Sequence, residues 1–493
     1  MDLLEKAPAP GPEAAEAPAA EKPNPDPPPK ALLDFMVQGW RPASAELPGP
    51  IDGHEAFYHR RRSLSALFPG DYLIIPTGSE KVRSNDTHYR FRPSSDFYYL
   101  VGSHEPDGVL VLVPDGAGGH RDTLFVDHNP GRADATFFTD RQKGELWVGR
   151  GARLGVPESQ ARFAVHEAKP LGELGALFDA LTVEGAKPFR LMRGFSAAAD
   201  CALPAQSERD KQLATALGEM RLRKDAQEVR ELEGAIASTL RGFEDVIRAL
   251  PKARSEREVE GIFGLRARVE GNDVGYGTIA ASGAHACTLH YTKNRGDLRA
   301  GSLLLLDAGV EGDSLYTADI TRTLPIGGRF SPEQREIYDL VLAAHDAAMT
   351  EVKPGKDFLD PNKAAMKVLA EGLERLGILT VPAAAALADD QQLYKRYSLH
   401  NISHMLGLDV HDCAEARQEA YKYGKLVAGM VLTIEPGLYF QEDDLTVPER
   451  YRGIGVRIED DVLVTDDGCR NLSAAFPVRA DDVEAWMARL AAG

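Results

Sequence analysis

Residues 303–325 read LLLLDAGVEGDSLYTADITRTLP, and their order of apolar runs, acids and glycines predicts a β-hairpin with an acid on each strand. The first apolar run ends in Asp307, and the second begins at Asp319, twelve residues further on. A turn around Gly312 separates the runs, so a hairpin of this length can bring the two carboxylates across from each other. Two aspartates that end strands and face water fit the same pattern, and the pair alone leaves both interpretations open.

Three histidines lie close together in residues 400–411, which read HNISHMLGLDVH. If the stretch is helical, spacings of four and eleven put His400, His404 and His411 on one face. If it is partly extended, the three imidazoles can still line one cleft. A lone histidine is usually a core or surface residue, but three of the chain's thirteen within twelve residues indicate a function for at least one.

Two more acids lie in apolar strand candidates. Residues 430–439 read MVLTIEPGLY, and the Pro-Gly that follows Glu435 predicts that this acid is buried or directed into a cleft. Residues 453–459 read GIGVRIE, and a strand places Arg457 and Glu459 on the same face because they are two residues apart. A local salt bridge explains that second pair equally well.

Taken together, these segments place four carboxylates and an imidazole on largely apolar elements. Buried carboxylates are costly unless they are paired, protonated or bound to a metal. Two divalent cations balance four carboxylates and leave room for one hydroxide. Ligation rich in oxygen, with one imidazole and no thiolate, favours Mn²⁺ first, with Co²⁺, Zn²⁺ and Fe²⁺ as alternatives. Two such ions generate a nucleophilic hydroxide near neutral pH and stabilise a tetrahedral oxyanion.

The rest of the sequence predicts two domains behind a proline-rich arm. Residues 1–30 contain nine prolines and seven alanines. A segment of this composition cannot bury enough apolar surface to offset the conformational entropy that it would lose on folding. We predict a disordered arm over residues 1–48, an α/β domain over 49–215 and an α+β domain over 216–493. In the last of these, Asp225 and Glu228 form a capping-box pattern that opens a long helix.

Strand candidates in both domains are short apolar runs bounded by turn residues. In the α/β domain they cover residues 71–76, 97–101, 108–114 and 122–127. In the C-terminal half they cover residues 302–310, 318–325, 430–439 and 455–465. The latter strands return from distant parts of the chain, which is typical of an antiparallel α+β arrangement.

The composition excludes several classes of function. In a chain of 493 residues, 57 Lys and Arg against 75 Asp and Glu give a net charge of −18, which argues against binding to nucleic acid or to an anionic membrane. No apolar run reaches the ~18–20 residues of a spanning helix, and the N-terminus lacks the pattern of a secretory signal. The four cysteines lie far apart and predict neither a disulfide framework nor a thiolate zinc site. We therefore expect a cytoplasmic protein.

Five short motifs follow one another over the C-terminal half. They are LDAG at residues 306–309, DITRT at 319–323, SHMLGLDVHD at 403–412, IEPGLY at 434–439 and GIGVRIEDD at 453–461. In order and spacing they resemble aminopeptidase P, the Xaa-Pro aminopeptidase of the pita-bread metallopeptidases. Residues 94–102 and 105–112 look like that family's N-terminal domain. The resemblance implies an α/β N-terminal domain followed by an α+β pita-bread catalytic domain.

The resemblance also implies a site for two Mn²⁺ ions. Asp319 and Glu459 match ligands that bridge the ions. Asp307 matches the residue that completes the ligand shell of one ion. His404 and Glu435 match the residues that complete the ligand shell of the other ion. A hydroxide between the ions would attack the carbonyl before proline, with Glu435 as the proton acceptor.

Five further residues match positions around the substrate in that family. His290 matches a histidine that positions substrate and stabilises the transition state, and His411 matches one that contacts the scissile carbonyl. His400 and Arg457 match residues around the proline subsite, and Tyr439 matches a partner behind them. The resemblance thus implies His290, His411 and Glu435 in catalysis.

Three residues depart from the family's pattern. Asn401 stands where a small glycine is common, and Met405 stands where a bulky aromatic residue is common. Cys413 begins a stretch that lacks the usual Val-Gly continuation. These residues flank the implied ligands without replacing them, so they affect the expected shape of the subsites more than metal binding.

The predicted function is hydrolysis of the bond between an N-terminal residue and a following proline in peptides. A dedicated enzyme is needed because this bond is a tertiary amide with no N–H and a restricted φ. Two alternatives stay open: a prolidase confined to Xaa-Pro dipeptides, and a pita-bread protein that has lost its metals and binds peptides. Family members are commonly dimers or tetramers, so the resemblance implies a homo-oligomer.

Overall fold

The computed structural model describes residues 28–41, 46–149, 153–183 and 185–492. The chain divides into two compact units, with the division between Ala214 and Thr215. The predicted arm falls largely on residues 1–27 and 42–45, which lie outside the described residues, so its disorder and the predicted domain boundaries stay predictions. Within the described ranges, no helix is long and apolar enough to cross a membrane.

The N-terminal unit is built on a mixed sheet. Its described strands are β1 (Tyr72–Pro76), β2 (Val82–Ser84), β3 (Thr87–His88), β4 (Val109–Pro114), β5 (His120–Val126), β6 (Glu167–Pro170) and β7 (Phe189–Leu191). Five of them form one sheet in the order β6-β5-β4-β1-β7. Strands β6 and β7 pair parallel to their neighbours, whereas the other pairs in this sheet are antiparallel.

Helices accompany this sheet along the chain. The described ones are α1 (Lys30–Met36), α2 (His54–Leu67), α3 (Ser95–Val101), α4 (Thr136–Thr139), α5 (Glu145–Val148), α6 (Val156–Phe163), α7 (Leu174–Thr182) and α8 (Ala197–Ala202), and α9 (Ser207–Arg221) contains the division between the units. The combination of helices and sheet confirms the predicted α/β class of the N-terminal half.

The strand predicted over residues 97–101 is wrong, because this segment belongs to helix α3. The side-chain oxygen of Ser94 accepts a hydrogen bond from the Phe97 N–H (3.3 Å) and caps the helix. Gly102 ends it in the left-handed region, with a φ of 75°. Every residue from Phe97 to Val101 is buried. A short helix that is buried all round presents an unbroken apolar run, which periodicity cannot distinguish from a buried strand.

The C-terminal unit combines long helices with short antiparallel sheets. Its described helices are α10 (Ala226–Ala249), α11 (Glu256–Glu270), α12 (Pro332–Met349), α13 (Asp360–Arg375), α14 (Ala383–Ala386) and α15 (Ala480–Ala491). Its described strands are β8 (Asp273–Val274), β9 (Ile279–Ser282), β10 (Leu303–Ala308), β11 (Val310–Glu311), β12 (Ile320–Pro325), β13 (Val431–Ile434), β14 (Gly437–Tyr439), β15 (Gly455–Arg457), β16 (Asp460–Val464) and β17 (Cys469–Asn471).

These strands form two three-stranded sheets, in the orders β12-β10-β9 and β13-β16-β17, and the two pairs β14-β15 and β11-β8. All the pairings are antiparallel. One cluster of buried apolar side chains joins the sheets to the helices of the unit. This arrangement confirms the predicted α+β class.

The hairpin predicted around residues 303–325 forms, but the two aspartates are not directly opposite. Asp307 on β10 faces Thr321 on β12, so Asp319 lies two residues out of register with it. Because residues two apart in a strand share a face, both carboxylates still point to the same side. Gly309 permits the close approach of the two chains here, since a Cβ at this position would lie 1.7 Å from the Ala318 carbonyl oxygen.

Helix α10 begins with the predicted capping box. The Asp225 carboxylate accepts hydrogen bonds from the N–H groups of Gln227 (2.8 Å) and Glu228 (3.0 Å). In return the Glu228 carboxylate accepts the Asp225 N–H (2.9 Å). The box fixes the start of the helix that carries the buried residues Leu232 and Phe243.

Asp225→Ala is expected to lower the free energy of unfolding by about 1 kcal/mol, because two N–H groups of the first turn lose their acceptor. Chemical denaturation at neutral pH measures the change. Asp225→Asn is the matched control, because the amide oxygen can still cap the helix and the loss should be much smaller. Equal losses in the two variants would show that the cap does not stabilise this helix.

Candidate metal centre

The C-terminal unit contains a cavity of about 570 Å³, within the range typical of ligand sites. Nine of the ten site residues predicted from the sequence line it: His290, Asp307, Asp319, His400, His404, His411, Glu435, Arg457 and Glu459. The tenth, Tyr439, is buried behind the wall, where its hydroxyl contacts His400 and Arg457. The structure therefore brings residues from separate segments of the chain to one cavity.

Three of the proposed ligands form the tightest group. Asp319, His404 and Glu459 each offer one ligand atom, and these atoms all lie within 4.8 Å of one another. The His404 Nε2 atom is 3.3 Å from Asp319 Oδ2 and 3.5 Å from Glu435 Oε1. Glu435 thus lies at the edge of this group, on the side of His404.

Glu435 and Glu459 reach the cavity because each interrupts a strand. Glu435 lies between β13 and β14, and Glu459 lies between β15 and β16. Strand β13 pairs with β16 and β14 pairs with β15, so the two interruptions face each other across the sheets. The Ile458 N–H donates to the Pro436 carbonyl (3.3 Å) and joins the two segments at this level. Because neither acid belongs to a strand, both side chains can turn into the cavity.

Asp307 enters the cavity from the end of β10 and is held by two side chains. Its Oδ1 atom accepts a hydrogen bond from the Tyr276 hydroxyl (2.7 Å), and its Oδ2 atom is in close contact with the Arg457 guanidinium. Arg457 also donates to Tyr439 Oη (2.9 Å) and Thr321 Oγ1 (3.1 Å). Asp307 is therefore fixed in orientation before any ligand binds.

The three histidines at 400–411 lie on an irregular loop, so the helical alternative for this stretch is wrong. The loop is tied to strand β13, where the His404 N–H donates to Thr433 Oγ1 (3.2 Å). Its far end is anchored by Asp412, which is buried and accepts a hydrogen bond from the buried Lys224 ammonium group (3.1 Å). Lys224 and nearby Arg221 hold the pKa of Asp412 below its usual range, although burial alone would raise it.

The acids of the cavity carry more negative charge than the neighbouring cations balance. Burial raises the pKa of Glu459 well above its usual range, and the carboxylates of Asp319 and Glu435 add to this shift. Burial likewise raises the pKa of Glu435 to about 7, although His404 and Arg457 oppose it. Burial also raises the pKa of Asp307, again against Arg457.

The same acidic surroundings favour the charged form of His404, whereas they disfavour the charged form of the acids. Burial alone would lower its pKa, but the hydrogen bond to Asp319 and the charge of Glu435 raise it to about 9. The protein by itself thus gathers acids that resist ionisation around an imidazole that retains its proton. Divalent cations relieve both effects, because they stabilise ionised carboxylates and a neutral imidazole as ligands. The donor set of Asp307, Asp319, His404, Glu435 and Glu459 fits such cations.

The other two histidines of the loop are neutral at pH 7. Burial and the Arg457 charge lower the pKa of His400 to about 4. Its Nε2 atom lies 2.7 Å from the Tyr439 hydroxyl, and its Nδ1 atom lies 3.5 Å from Glu435. Partial desolvation and the neighbouring His404 lower the pKa of His411, whose ring centroid is 4.4 Å from that of His404. The ring nitrogens of His400 are occupied by the Tyr439 hydroxyl and by the Asn401 carbonyl (2.9 Å), whereas the His411 ring has no hydrogen-bond partner among the described residues and can bind a substrate directly.

Sequence reasoning missed several residues that shape the site. Tyr276 orients Asp307, and the Thr321 hydroxyl donates to Glu459 Oε2 (2.6 Å). Asp461 is fully buried and accepts the Asp319 N–H (3.2 Å). The sequence signal for Tyr276 was the pair of glycines on either side of it, which allow other chain segments to approach closely. Thr321 was recognisable only as part of the motif that begins at Asp319.

The three departures from the family pattern lie in different surroundings. Asn401 lines the cavity and is exposed. Met405 and Cys413 are fully buried in the main core of the unit. Asn401 is therefore the departure that changes the cavity wall, whereas the other two change the packing behind it.

Known proteins match both halves of the chain. The family model of metallopeptidase family M24 matches residues 230–466, and that of the aminopeptidase P N-terminal domain matches residues 57–187. Xaa-Pro aminopeptidase 1 of Streptomyces coelicolor is 50% identical over 463 residues, which cover 93% of this chain and 92% of that protein. Xaa-Pro aminopeptidase of Escherichia coli is 35% identical over 452 residues, which cover 88% and 97% of the two chains.

Solved structures agree with these sequence matches. Aminopeptidase P from E. coli with the inhibitor Pro-Leu has a TM-score of 0.79 and 32% identity, and the match covers 90% of this chain and 100% of that chain. Proline aminopeptidase P II from Yersinia pestis has a TM-score of 0.78 and 35% identity, and the match covers 88% and 99%.

The fold, the donor set and these matches define a pita-bread metallopeptidase of family M24. Within that class, the chain belongs to the aminopeptidase P family. Membership confirms the resemblance seen in the sequence and the prediction of a metal-dependent aminopeptidase. Dependence on divalent metal follows from the family.

Proposed function

We propose that this chain is a dinuclear metallo-aminopeptidase that releases the N-terminal residue from peptides with proline in second place. The observation that carries the proposal is the convergence of Asp319, His404 and Glu459 in one cavity, with Asp307 and Glu435 on its walls. The names of the relatives support the choice of substrate, since they include Xaa-Pro aminopeptidases that match nearly the whole chain.

The five donors would hold two cations. Asp319 and Glu459 would be shared by both, Asp307 would belong to one, and His404 and Glu435 would belong to the other. Mn²⁺ is the first choice, because four carboxylates and one imidazole without a thiolate suit a hard or borderline ion. When bound, two such ions supply a nucleophilic water and stabilise negative charge on the substrate carbonyl.

The remaining groups act on protons and on the substrate. Glu435 accepts the proton of the attacking water and passes it to the leaving proline nitrogen. His411 and His290 hydrogen-bond to the scissile carbonyl as its oxygen becomes negative.

The proline ring lies against His400, with Arg457 and Tyr439 behind it. The Tyr439 hydroxyl holds both partners, at 2.7 Å from His400 Nε2 and 2.9 Å from Arg457 Nη1. Arg457 in turn contacts Asp307, so this subsite is linked to the proposed ligands through side-chain contacts. Such a link fixes the proline ring relative to the reacting carbonyl.

A peptide panel with and without added Mn²⁺ tests the proposed function. With Mn²⁺, we expect the protein to cleave Xaa-Pro-Xaa tripeptides and longer peptides, and to cleave a matched peptide with alanine in second place much more slowly. Chromatography of the products at fixed enzyme concentration measures the rates. Rapid cleavage of Xaa-Pro dipeptides alone would indicate a prolidase. Absence of bound transition metal together with absence of activity would indicate a metal-free binding protein.

Two further expectations stay predictions. The family resemblance implies a dimer or tetramer, and we expect a cytoplasmic location. Light scattering and cell fractionation measure these properties directly.

A further inference from the structure

Asn401 places a hydrogen-bonding group on the wall of the cavity. The residue is exposed and lines the cavity. Its backbone carbonyl lies 2.9 Å from His400 Nδ1. Among the residues that the structure describes, its side-chain amide has no hydrogen-bond partner. A carboxamide with two donors and one acceptor is therefore available to a bound molecule.

The backbone around Asn401 is held in place on both sides. The Ile402 N–H donates to Asn362 Oδ1 (3.3 Å), and the Ile402 carbonyl accepts the Glu435 N–H (2.9 Å). Ile402 itself is fully buried. Because its neighbour is anchored in the core and beside Glu435, Asn401 presents its side chain from a fixed backbone at the open side of the cavity.

The path of a substrate follows from the proposed function, on which this inference rests. The N-terminal residue lies at the cations, and proline lies against His400. The next residue of the peptide must then leave the cavity toward its opening. Asn401 directly follows His400 in the chain and is exposed there, so the peptide group after proline passes within its reach.

We propose that the Asn401 carboxamide hydrogen-bonds to the peptide group that follows proline and thereby favours peptides of three or more residues. A peptide group offers one N–H donor and one carbonyl acceptor, and a carboxamide can satisfy both. An Xaa-Pro dipeptide ends instead in a carboxylate, which has no N–H to donate to the oxygen of the carboxamide. Asn401 is thus a specificity-determining residue for substrate length.

The test compares two substrates with the same scissile bond in the Mn²⁺-loaded enzyme. Ala-Pro-Ala amide contains the peptide group after proline, whereas alanyl-pyrrolidide has the ring without any group beyond it. In Asn401→Ala, we expect the ratio of kcat/KM for the tripeptide amide to that for the pyrrolidide to fall about three- to tenfold, the effect of one or two neutral hydrogen bonds. Steady-state kinetics at saturating Mn²⁺ measures the ratio.

Asn401→Leu separates hydrogen bonding from volume, because leucine has nearly the shape of asparagine without its polar atoms. We expect the same fall in the ratio for this variant. An unchanged ratio in Asn401→Ala, or a ratio restored by leucine, would overturn the inference while leaving the proposed function intact. If the wild-type enzyme cleaves neither substrate, the proposed function is wrong and the inference falls with it.

Discussion

Glu459→Gln is expected to lower kcat/KM for an Xaa-Pro tripeptide about 10³-fold or more and to reduce bound Mn²⁺ below two ions per chain. A bridging carboxylate supplies an oxygen to each of two cations, whereas a carboxamide is neutral and offers a single ligand oxygen. Its nitrogen would face one of the cations. Metal analysis by mass spectrometry and steady-state kinetics on the same preparation measure both effects.

The stability of the Glu459 variant distinguishes lost ligation from misfolding. Burial and nearby acids raise the pKa of Glu459 well above its usual range, so at neutral pH this carboxyl ionises more readily in the unfolded chain and thereby destabilises the metal-free folded protein. A neutral glutamine removes that penalty and retains an acceptor for the Thr321 hydroxyl. In chelator, the variant should therefore melt no lower than the wild type. Added Mn²⁺ should raise the Tm of the wild type, since it binds the folded state, and raise that of the variant far less.

Asp466→Asn is the matched control for this experiment. Asp466 is exposed and lies just beyond strand β16, outside the cavity, so the same change from acid to amide should leave activity and metal content as in the wild type. Near-normal turnover in Glu459→Gln with two ions bound would refute the bridging role.

The composition of the site was predictable from sequence because its residues lie in short local patterns. An acid at the end of an apolar strand, as at Asp307 and Glu435, marks a side chain that must be paired or bound. Arg457 and Glu459 both line the cavity as predicted, although the strand that was expected to place them on one face is interrupted at Glu459. These signals depend on a few neighbouring residues and not on the rest of the fold.

The interruption of two predicted strands was less evident. Residues 430–439 and 455–465 were each predicted as one strand, yet each is two strands separated at an acid. Pro436 is a sequence signal for the first interruption, because proline cannot donate to the ladder. The second interruption, at Glu459, has no such sequence signal. It arises because β15 and β16 pair with β14 and β13, the two strands that Glu435 and Pro436 separate.

The conformation of the histidine loop could not be predicted because distant residues determine it. Asp412 is anchored by Lys224, which lies 188 positions earlier in the chain. A pattern of three histidines fits a helix as well as an irregular loop until such long-range partners are known. The prediction of a strand over residues 97–101 was wrong for a related reason. Helix α3 is buried on all sides, so its sequence lacks the alternation of apolar and polar residues that separates a helix from a strand.

His411→Ala is expected to retain two Mn²⁺ ions and to lower kcat about 10²–10³-fold, the usual effect of losing one donor to a developing oxyanion. Its imidazole lies beside that of His404 but outside the group of Asp319, His404 and Glu459 whose ligand atoms converge. A lowered pKa keeps it neutral at pH 7, so one ring nitrogen carries a proton to donate. Kinetics at saturating Mn²⁺, with metal analysis, separates this effect from lost ligation.

His411→Asn is the conservative control for this variant. Its amide can still donate a hydrogen bond from a similar position, so it should recover part of the lost kcat while binding the same amount of metal. Loss of Mn²⁺ from His411→Ala would make His411 a ligand instead. An unchanged kcat would remove it from the reaction altogether. The contrast with Glu459→Gln is the informative one, because a ligand and a substrate-binding residue both lower turnover but only the ligand changes the metal content and the Mn²⁺-dependent rise in Tm.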